Sequence, residues 1–354
     1  MRSFIWMSQK HISKICTLNP GWYLKSVPTT DKAAHLSGQL QELLSRGVQL
    51  TKWISNDRKV IATVPVTERA PSVVNLDLED LPVERTLRVQ WAMETDDFNF
   101  CIMNEGKAPT RRGILSVVSS MYDPLGFVVP IILPSKSLFQ SLCKQKYGWD
   151  KEISDEDSIV WQGWLKELAC LRTISVPRCF KPPEFGMVVN VQLHHFSDVS
   201  EYGYGAVSYL RIVDDKGALH FSFVLHKSRI TSLKVVSIPC LELAAALVAV
   251  KLNCLIRNEL EYPIHDTIYW TDSTVVLQYI CNKSRGFHTF VGNRVTTTHD
   301  ESTPHPWRHV DTFANPADIA SRGAKGSKLH KLELWLHNPK FLWKDKENWP
   351  EQPS

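Results

Sequence analysis

The sequence predicts an α/β protein, and three observations carry that prediction. From about residue 186 the apolar pattern takes on strand periodicity, five strand-type stretches then alternate with helical ones as far as residue 325, and an α+β region over 29–185 precedes them. At 354 residues the chain exceeds one ordinary core. The reading therefore divides it into 1–28, a segment without clear pattern, 29–185, 186–325 and a C-terminal stretch 326–354. A hydrophobic content of 43% excludes wholesale disorder.

The first helix is expected to follow the capping stretch Thr29-Thr30-Asp31. It carries Ala33, Leu36, Leu40, Leu43 and Leu44 at helical spacing and stops near Arg46-Gly47. Residues 48–56 alternate as a strand, and 57–100 reads as short strands and turns. Thr110-Arg111-Arg112-Gly113 opens a second helix that ends at the turn sequence Asp123-Pro124-Leu125-Gly126. A third starts at Pro130 or Pro134, and its Lys136, Lys144 and Lys146 read as a solvated outer face. The proline-containing connector 176–183 then marks a boundary near residue 185.

Beyond it, Val188–Asp198 reads as a strand ending in an acid, followed by strands at Gly203–Leu210 and Ala218–Leu225 joined by the hairpin sequence Asp214-Asp215-Lys216-Gly217. Pro239 starts an Ala- and Leu-rich helix with Glu242 in its first turn. Thr267–Asp272 is a short buried-type strand whose terminal Asp272 is placed to cap the helix after it. Trp307–Val310 is a fifth strand, and Asn315–Gly323 a short helix with Asp318 in its first turn. Taken singly, each of these acids reads as a cap or a surface charge. The informative feature is the set: Asp198, Glu242, Asp272 and Asp318, each at a strand end or in a helix's first turn.

The order strand-Asp, two strands, helix-Glu, strand-Asp, helix-Asp resembles the ribonuclease H domain of retroelement reverse transcriptases. The phrases Phe196-Ser197-Asp198, Ile238-Pro239-Cys240-Leu241-Glu242, Trp270-Thr271-Asp272-Ser273 and Asn315-Pro316-Ala317-Asp318 are similar to those of BEL/Pao-type LTR retrotransposon polyproteins. Lys52-Trp53-Ile54-Ser55-Asn56, Thr110–Ser116 and Tyr122-Asp123-Pro124-Leu125-Gly126 extend the likeness into the first half. The resemblance implies a ribonuclease H-like mixed five-stranded sheet over 186–325. It further implies a reverse transcriptase palm-end, thumb and connection region over 29–185, and a linker toward an integrase over 326–354.

It also implies a chemistry. Four carboxylates repel one another unless cations fill the site, and oxygen ligands suit two Mg2+ or Mn2+ ions. Asp198, Glu242, Asp272 and Asp318 are the implied metal ligands and catalytic residues, with His309 a further candidate for proton transfer. The expected substrate is the RNA strand of an RNA–DNA hybrid. Its 2′-hydroxyls mark it, and polar and aromatic residues near Asp198 and after Asp272 are candidates for the contact. The missing polymerase portion of a related polyprotein is a second expected partner. The alternative reading is a catalytically inactive nucleic-acid-binding remnant.

Other classes fit less well. Asn19-Pro20-Gly21-Trp22-Tyr23 stands where a polymerase needs Tyr-x-Asp-Asp, and neither Asp96-Asp97 nor Asp214-Asp215 follows a tyrosine as that motif requires. The family also carries a peptidase label, yet an aspartic peptidase needs Asp-Thr-Gly or Asp-Ser-Gly, and Asp272-Ser273 is followed by Thr274. Eight scattered cysteines with no C-x-x-C pair argue against a zinc knuckle. With no signal-like N-terminus and no apolar run expected to span a membrane, the location expected is intracellular, cytoplasmic or nuclear, with free thiols and no membrane partner.

Overall fold

The structure is a computed structural model of the chain. It describes residues 3–9, 22–27, 29–44, 50–74, 83–86, 89–100, 106–121, 123–231, 236–260, 262–282, 286–324, 335–337 and 339–352. The expected helix stop at Arg46-Gly47, Asn19–Gly21 and Tyr122 lie outside the described residues, as does most of 1–28. The contacts define two compact units, Met1–Phe100 with Ser175–Cys179, and Cys101–Ile174 with Phe180–Ser354.

In the first unit, strand β1 (Ser3–Gln9) pairs antiparallel with both β2 (Trp22–Val27) and β3 (Leu50–Ile54). Helix α1 (Thr30–Leu44) starts where expected, and Thr29 Oγ1 accepts the Lys32 amide at 3.3 Å. After α2 (Arg58–Ala62), strands β4 (Val83–Thr86), β5 (Val89–Ala92), β6 (Asp97–Asn99) and β7 (Ser175–Pro177) form an antiparallel sheet. Asp96 is structural here: its carboxylate accepts from Arg178 Nε at 2.7 Å and from the buried Trp91 indole at 3.0 Å.

The second unit holds helices α3 (Arg111–Ser120), α4 (Val129–Lys144) and α5 (Asp155–Glu167), followed by strands β8 (Val188–Val199), β9 (Gly203–Asp214) and β10 (Leu219–Ile230). Then come α6 (Ile238–Glu259), β11 (Asp266–Thr271), α7 (Thr274–Cys281), α8 (Thr289–Glu301), β12 (Trp307–His309) and α9 (Pro316–Arg322). The five-stranded sheet has the order β10-β9-β8-β11-β12. Its first three strands are antiparallel, while β11 runs parallel to β8 and β12 parallel to β11. The expected mixed sheet is thus present.

Alternation along β8 divides the two faces of this sheet. Val191 and Leu193 join Leu210, Leu243, Ala246, Ala249 and Val250 in a dry aliphatic core beneath α6. His194 and Phe196 look the other way, into an aromatic layer with Trp270, Tyr209, Phe221 and Phe223. In contrast to the membrane expectation, the 22-residue α6 is long and apolar enough by composition to span a bilayer. Here its apolar face is buried against the sheet.

Two expected boundaries differ from the packing. Residues 101–174 group with the sheet in one compact unit, and the breaks between units fall at 100/101, 174/175 and 179/180, so 185 does not divide the helices from the sheet. The reason lies in the Asp123 turn, whose carboxylate accepts the amides of Gly126, Phe127 and Val128 at 2.8–2.9 Å. That turn presents Leu125 O to the His226 amide of β10 at 2.9 Å, and Gly126 adopts φ +85° against His226. Likewise the described part of 326–354 does not leave the fold as a linker. Trp335 is fully buried and donates its indole N–H to Phe127 O at 2.8 Å, and Tyr209 donates to Trp335 O at 2.6 Å. The buried Arg211 donates to Leu342 O at 3.1 Å. Among the described cysteines no disulfide is formed.

Trp335→Ala should therefore cost about 3–5 kcal/mol of stability, read as a lowered denaturant midpoint; an unchanged midpoint would mean that the segment is only loosely attached. A second expectation concerns acid. Burial pushes the His195 and His226 imidazoles down to about 3, against an ordinary 6.5. The unfolded chain takes up those protons first, so stability is complete above about pH 6.5 and falls as pH drops toward 3. Replacing His226, whose ring nitrogens have no hydrogen-bond partner, with Phe should flatten that acid limb in circular dichroism melts.

Candidate active site

Parallel pairing of β8 and β11 sets Ser197 beside Thr271, so that Asp198 and Asp272, the next residue on each strand, leave the sheet at neighbouring ends. Both share the parity of the aromatic layer, Asp198 with Phe196 and Asp272 with Trp270. Asp198 is buried at 6% exposure, which decides its chemistry. The Ser321 hydroxyl of α9 donates to its Oδ2. Burial, then the negative charges of Asp272 and Asp318, push the Asp198 carboxyl up to about 7 in spite of that bond.

Asp272 does not cap α7, contrary to the structural role its position suggested. Ser273 does so, accepting the Val276 amide at 3.2 Å, while Asp272 Oδ2 accepts from Thr312 Oγ1 at 2.6 Å. The Ser273 hydroxyl in turn donates to Glu242 Oε2 at 2.6 Å, tying the third acid to the end of β11. Glu242 is the fifth residue of α6, one residue further in than expected and just past the first turn, because the helix begins at Ile238. Asp318 lies in the first turn of α9 as expected and accepts from Arg322 Nε, one turn along the same helix. Asn315 caps α9 through the Ala317 amide and donates to Ser197 O at 3.0 Å, fastening this helix to the strand that carries Asp198.

Three of the predicted acids are therefore electrostatically joined. Asp318, followed by Asp198 and Asp272, raises the Arg322 guanidinium above its ordinary value. Glu242 is connected to them through Ser273. Each carboxylate is turned toward a hydroxyl or guanidinium donor, and among the described residues no three His, Cys, Asp or Glu side chains converge on one metal position. In chemical kind the donors suit a hard divalent cation, being oxygens only, and the raised Asp198 marks a place where positive charge would relieve repulsion. His309 is adjacent, but its Nε2 faces Asp272 O at 3.3 Å and its amide donates to Gln352 Oε1 at 2.6 Å. Ser321, Thr312, Ser273 and Arg322 are the site residues that the sequence reading passes over. A donor three or four residues after Asp318 on one helix face was the available signal for Ser321 and Arg322.

The sequence model of a family described as the Pao retrotransposon-like RNaseH-like domain matches residues 110–273, a span that holds Asp198, Glu242 and Asp272 and ends before Asp318. A search of curated proteins finds no match. Among solved structures, the chain is similar to RNase H1 from the halophilic archaeon Halobacterium salinarum NRC-1, with 13% identity over 36% of this chain and 91% of that one, at a TM-score of 0.25. It is similar to LC11-RNase H1, isolated from compost by a metagenomic approach and solved in complex with an RNA/DNA hybrid. There the identity is 12% over 40% of this chain and 99% of that one, at a TM-score of 0.27. A foamy viral protease-reverse transcriptase in complex with dsDNA aligns at 11% identity over 84% of this chain and 55% of that one, at a TM-score of 0.22.

The electrostatics make a direct prediction. An Asp198 carboxyl raised from 3.8 to about 7 binds its proton more tightly in the folded state, so its contribution to stability is present below pH 3.8 and lost as pH rises through about 7. Without divalent cations at pH 8, Asp198→Asn should melt above the unmodified protein, by about 2–4 °C for each kcal/mol recovered, and the gap should close toward pH 4. A variant that melts lower at every pH would refute this account of the site.

Proposed function

We propose that this chain, which over residues 110–273 carries a Pao retrotransposon-like RNaseH-like domain, hydrolyses the RNA strand of RNA–DNA hybrids. The observation that carries the reading is the adjacency of Asp198 and Asp272 at the ends of two parallel strands, with Asp198 buried among like charges. An arrangement that costs stability by itself is characteristic of catalytic centres.

Asp198 and Asp272 would hold two Mg2+ or Mn2+ ions, with Asp318 and Glu242 completing the oxygen ligand set. Bound there, such ions supply an activated water and stabilise the leaving oxygen of an in-line displacement at phosphorus. The protein's own groups do the positioning. Thr312 orients Asp272, Ser273 orients Glu242, Ser321 orients Asp198, and Asn315 fixes α9 to β8 so that Asp318 stays within reach. Water attack at the phosphorus, with departure of the 3′ oxygen, leaves a 3′-hydroxyl and a 5′-phosphate. Recognition of the RNA strand would rest on its 2′-hydroxyls. His309, engaged with the Asp272 carbonyl and with Gln352, is assigned no proton transfer.

One observation favours the second reading, a nucleic-acid-binding remnant without turnover. Arg322 occupies Asp318, and the four acids are each paired to a donor instead of converging. The two readings separate in one assay. A labelled RNA–DNA hybrid should be cut in the RNA strand when Mg2+ or Mn2+ is added, and Asp272→Asn should reduce the cleavage to background while leaving the circular dichroism spectrum intact. Binding without cleavage would select the remnant; equal cleavage by Asp272→Asn would remove Asp272 from the chemistry.

A further inference from the structure

Phe313 is 97% exposed, the most exposed large apolar side chain among the described residues. Other half-exposed aromatic rings have company: Arg294 lies over Phe290 at 3.4 Å, and Arg111 over Trp149 at 4.3 Å. No ring or cation contacts Phe313 among the described residues. Its backbone is nonetheless held on both sides. It is the middle residue of a single 3-10 turn, Thr312–Ala314, closed by Ala314 N to Asp311 O at 2.8 Å and Asn315 N to Thr312 O at 3.1 Å.

The flanking side chains fasten that turn to the acidic site itself. Thr312 holds Asp272, the buried Asn315 holds the carbonyl of Ser197 beside Asp198, and Val310 N donates to Thr271 O at 3.0 Å. An isolated surface apolar residue is ordinary. A bare aromatic ring on a pinned turn, one residue from the group that orients Asp272, is a preorganised contact. An uncharged ring offers nothing to a phosphate. What it offers is a face for the base or sugar of a nucleotide, where stacking is tolerant of sequence.

We infer that Phe313 is a nucleic-acid contact residue, packing against the base and sugar of a nucleotide beside the phosphate presented to Asp198 and Asp272. The inference deepens the proposed function and rests on its premise that these acids meet a nucleic acid. It does not require turnover. Phe313 binds and positions; it takes no part in the chemistry.

The test is affinity, measured by fluorescence anisotropy of an end-labelled RNA–DNA hybrid over a series of salt concentrations, with the full chain. Phe313→Ala should weaken binding by about tenfold or more, Phe313→Trp and Phe313→Tyr should retain it, and the slope of affinity against salt should stay the same, because a ring releases no counterions. The melting temperature should not move, since the ring buries nothing within the fold. Equal affinity of Phe313→Ala, a changed salt slope, or a loss that tracks a lowered melting temperature overturns the inference while leaving hybrid cleavage intact. A protein that binds hybrid through Phe313 but never cuts it overturns the hydrolytic reading alone. A chain that binds no hybrid at all overturns both.

Discussion

The parallel pairing of β8 with β11 is the constraint on which the site depends. A parallel pair needs a long crossover, and here β9, β10 and the 22-residue α6 all intervene between the two strands. The pairing is worth its loop-closure entropy only because α6 buries one face of the sheet. Its register, Ser197 beside Thr271, then fixes which residues emerge side by side. A slip of one residue would send Asp198 to the largely aliphatic face under α6, away from Ser321.

Aromatic packing protects that register from the other side. His194, Phe196 and Trp270 form a stack, with Trp270 and Phe196 centroids 5.9 Å apart and Trp270 Nε1 donating to His194 Nδ1 at 3.1 Å. Phe341 and Trp349 lie edge-on against Trp270. The C-terminal segment is thus the cover of the face on which the acids open. Arg211, buried between the sheet and this cover, donates to main-chain carbonyls of the segment and to Gln192 Oε1. A buried guanidinium without such acceptors would carry a heavy desolvation cost, so the cover and the arginine require each other.

Much of this was legible in the sequence, for identifiable reasons. The strands β8 to β11 announce themselves through alternation or β-branched runs, and Asp198, Glu242, Asp272 and Asp318 through their places at element ends. Helix α8 was not legible, because Gly292 and the run Thr296-Thr297-Thr298 are weak helix formers that only packing holds in place. The connector at 176–183 was read as a domain boundary because prolines punctuate local structure. They say nothing of long-range bonds such as Gln140 Nε2 to Thr231 O at 2.8 Å or Ala324 N to Pro130 O at 2.8 Å, which join the early helices to the sheet. Hydroxyl donors such as Thr312 were invisible for a similar reason: the partners of Ser273, Thr312 and Ser321 are 31, 40 and 123 residues distant.

The donors also explain how so many acids coexist without converging. A hydroxyl donor favours the charged form of the carboxylate it meets, and Ser321 lowers the Asp198 carboxyl only in part against burial and the charges of Asp272 and Asp318. Among the described residues Arg322 is the one cation that these acids raise, and it sits on the same helix as Asp318, at the exposed edge of the group. Its charge acts most strongly on Asp318, then on Asp198 and last on Asp272. Repulsion is therefore relieved from the solvent side inward, and the residual strain collects on the residue at the end of β8. That distribution follows from burial: of the four acids Asp198 alone is buried, while Glu242, Asp272 and Asp318 are partly exposed, so the desolvation falls on Asp198.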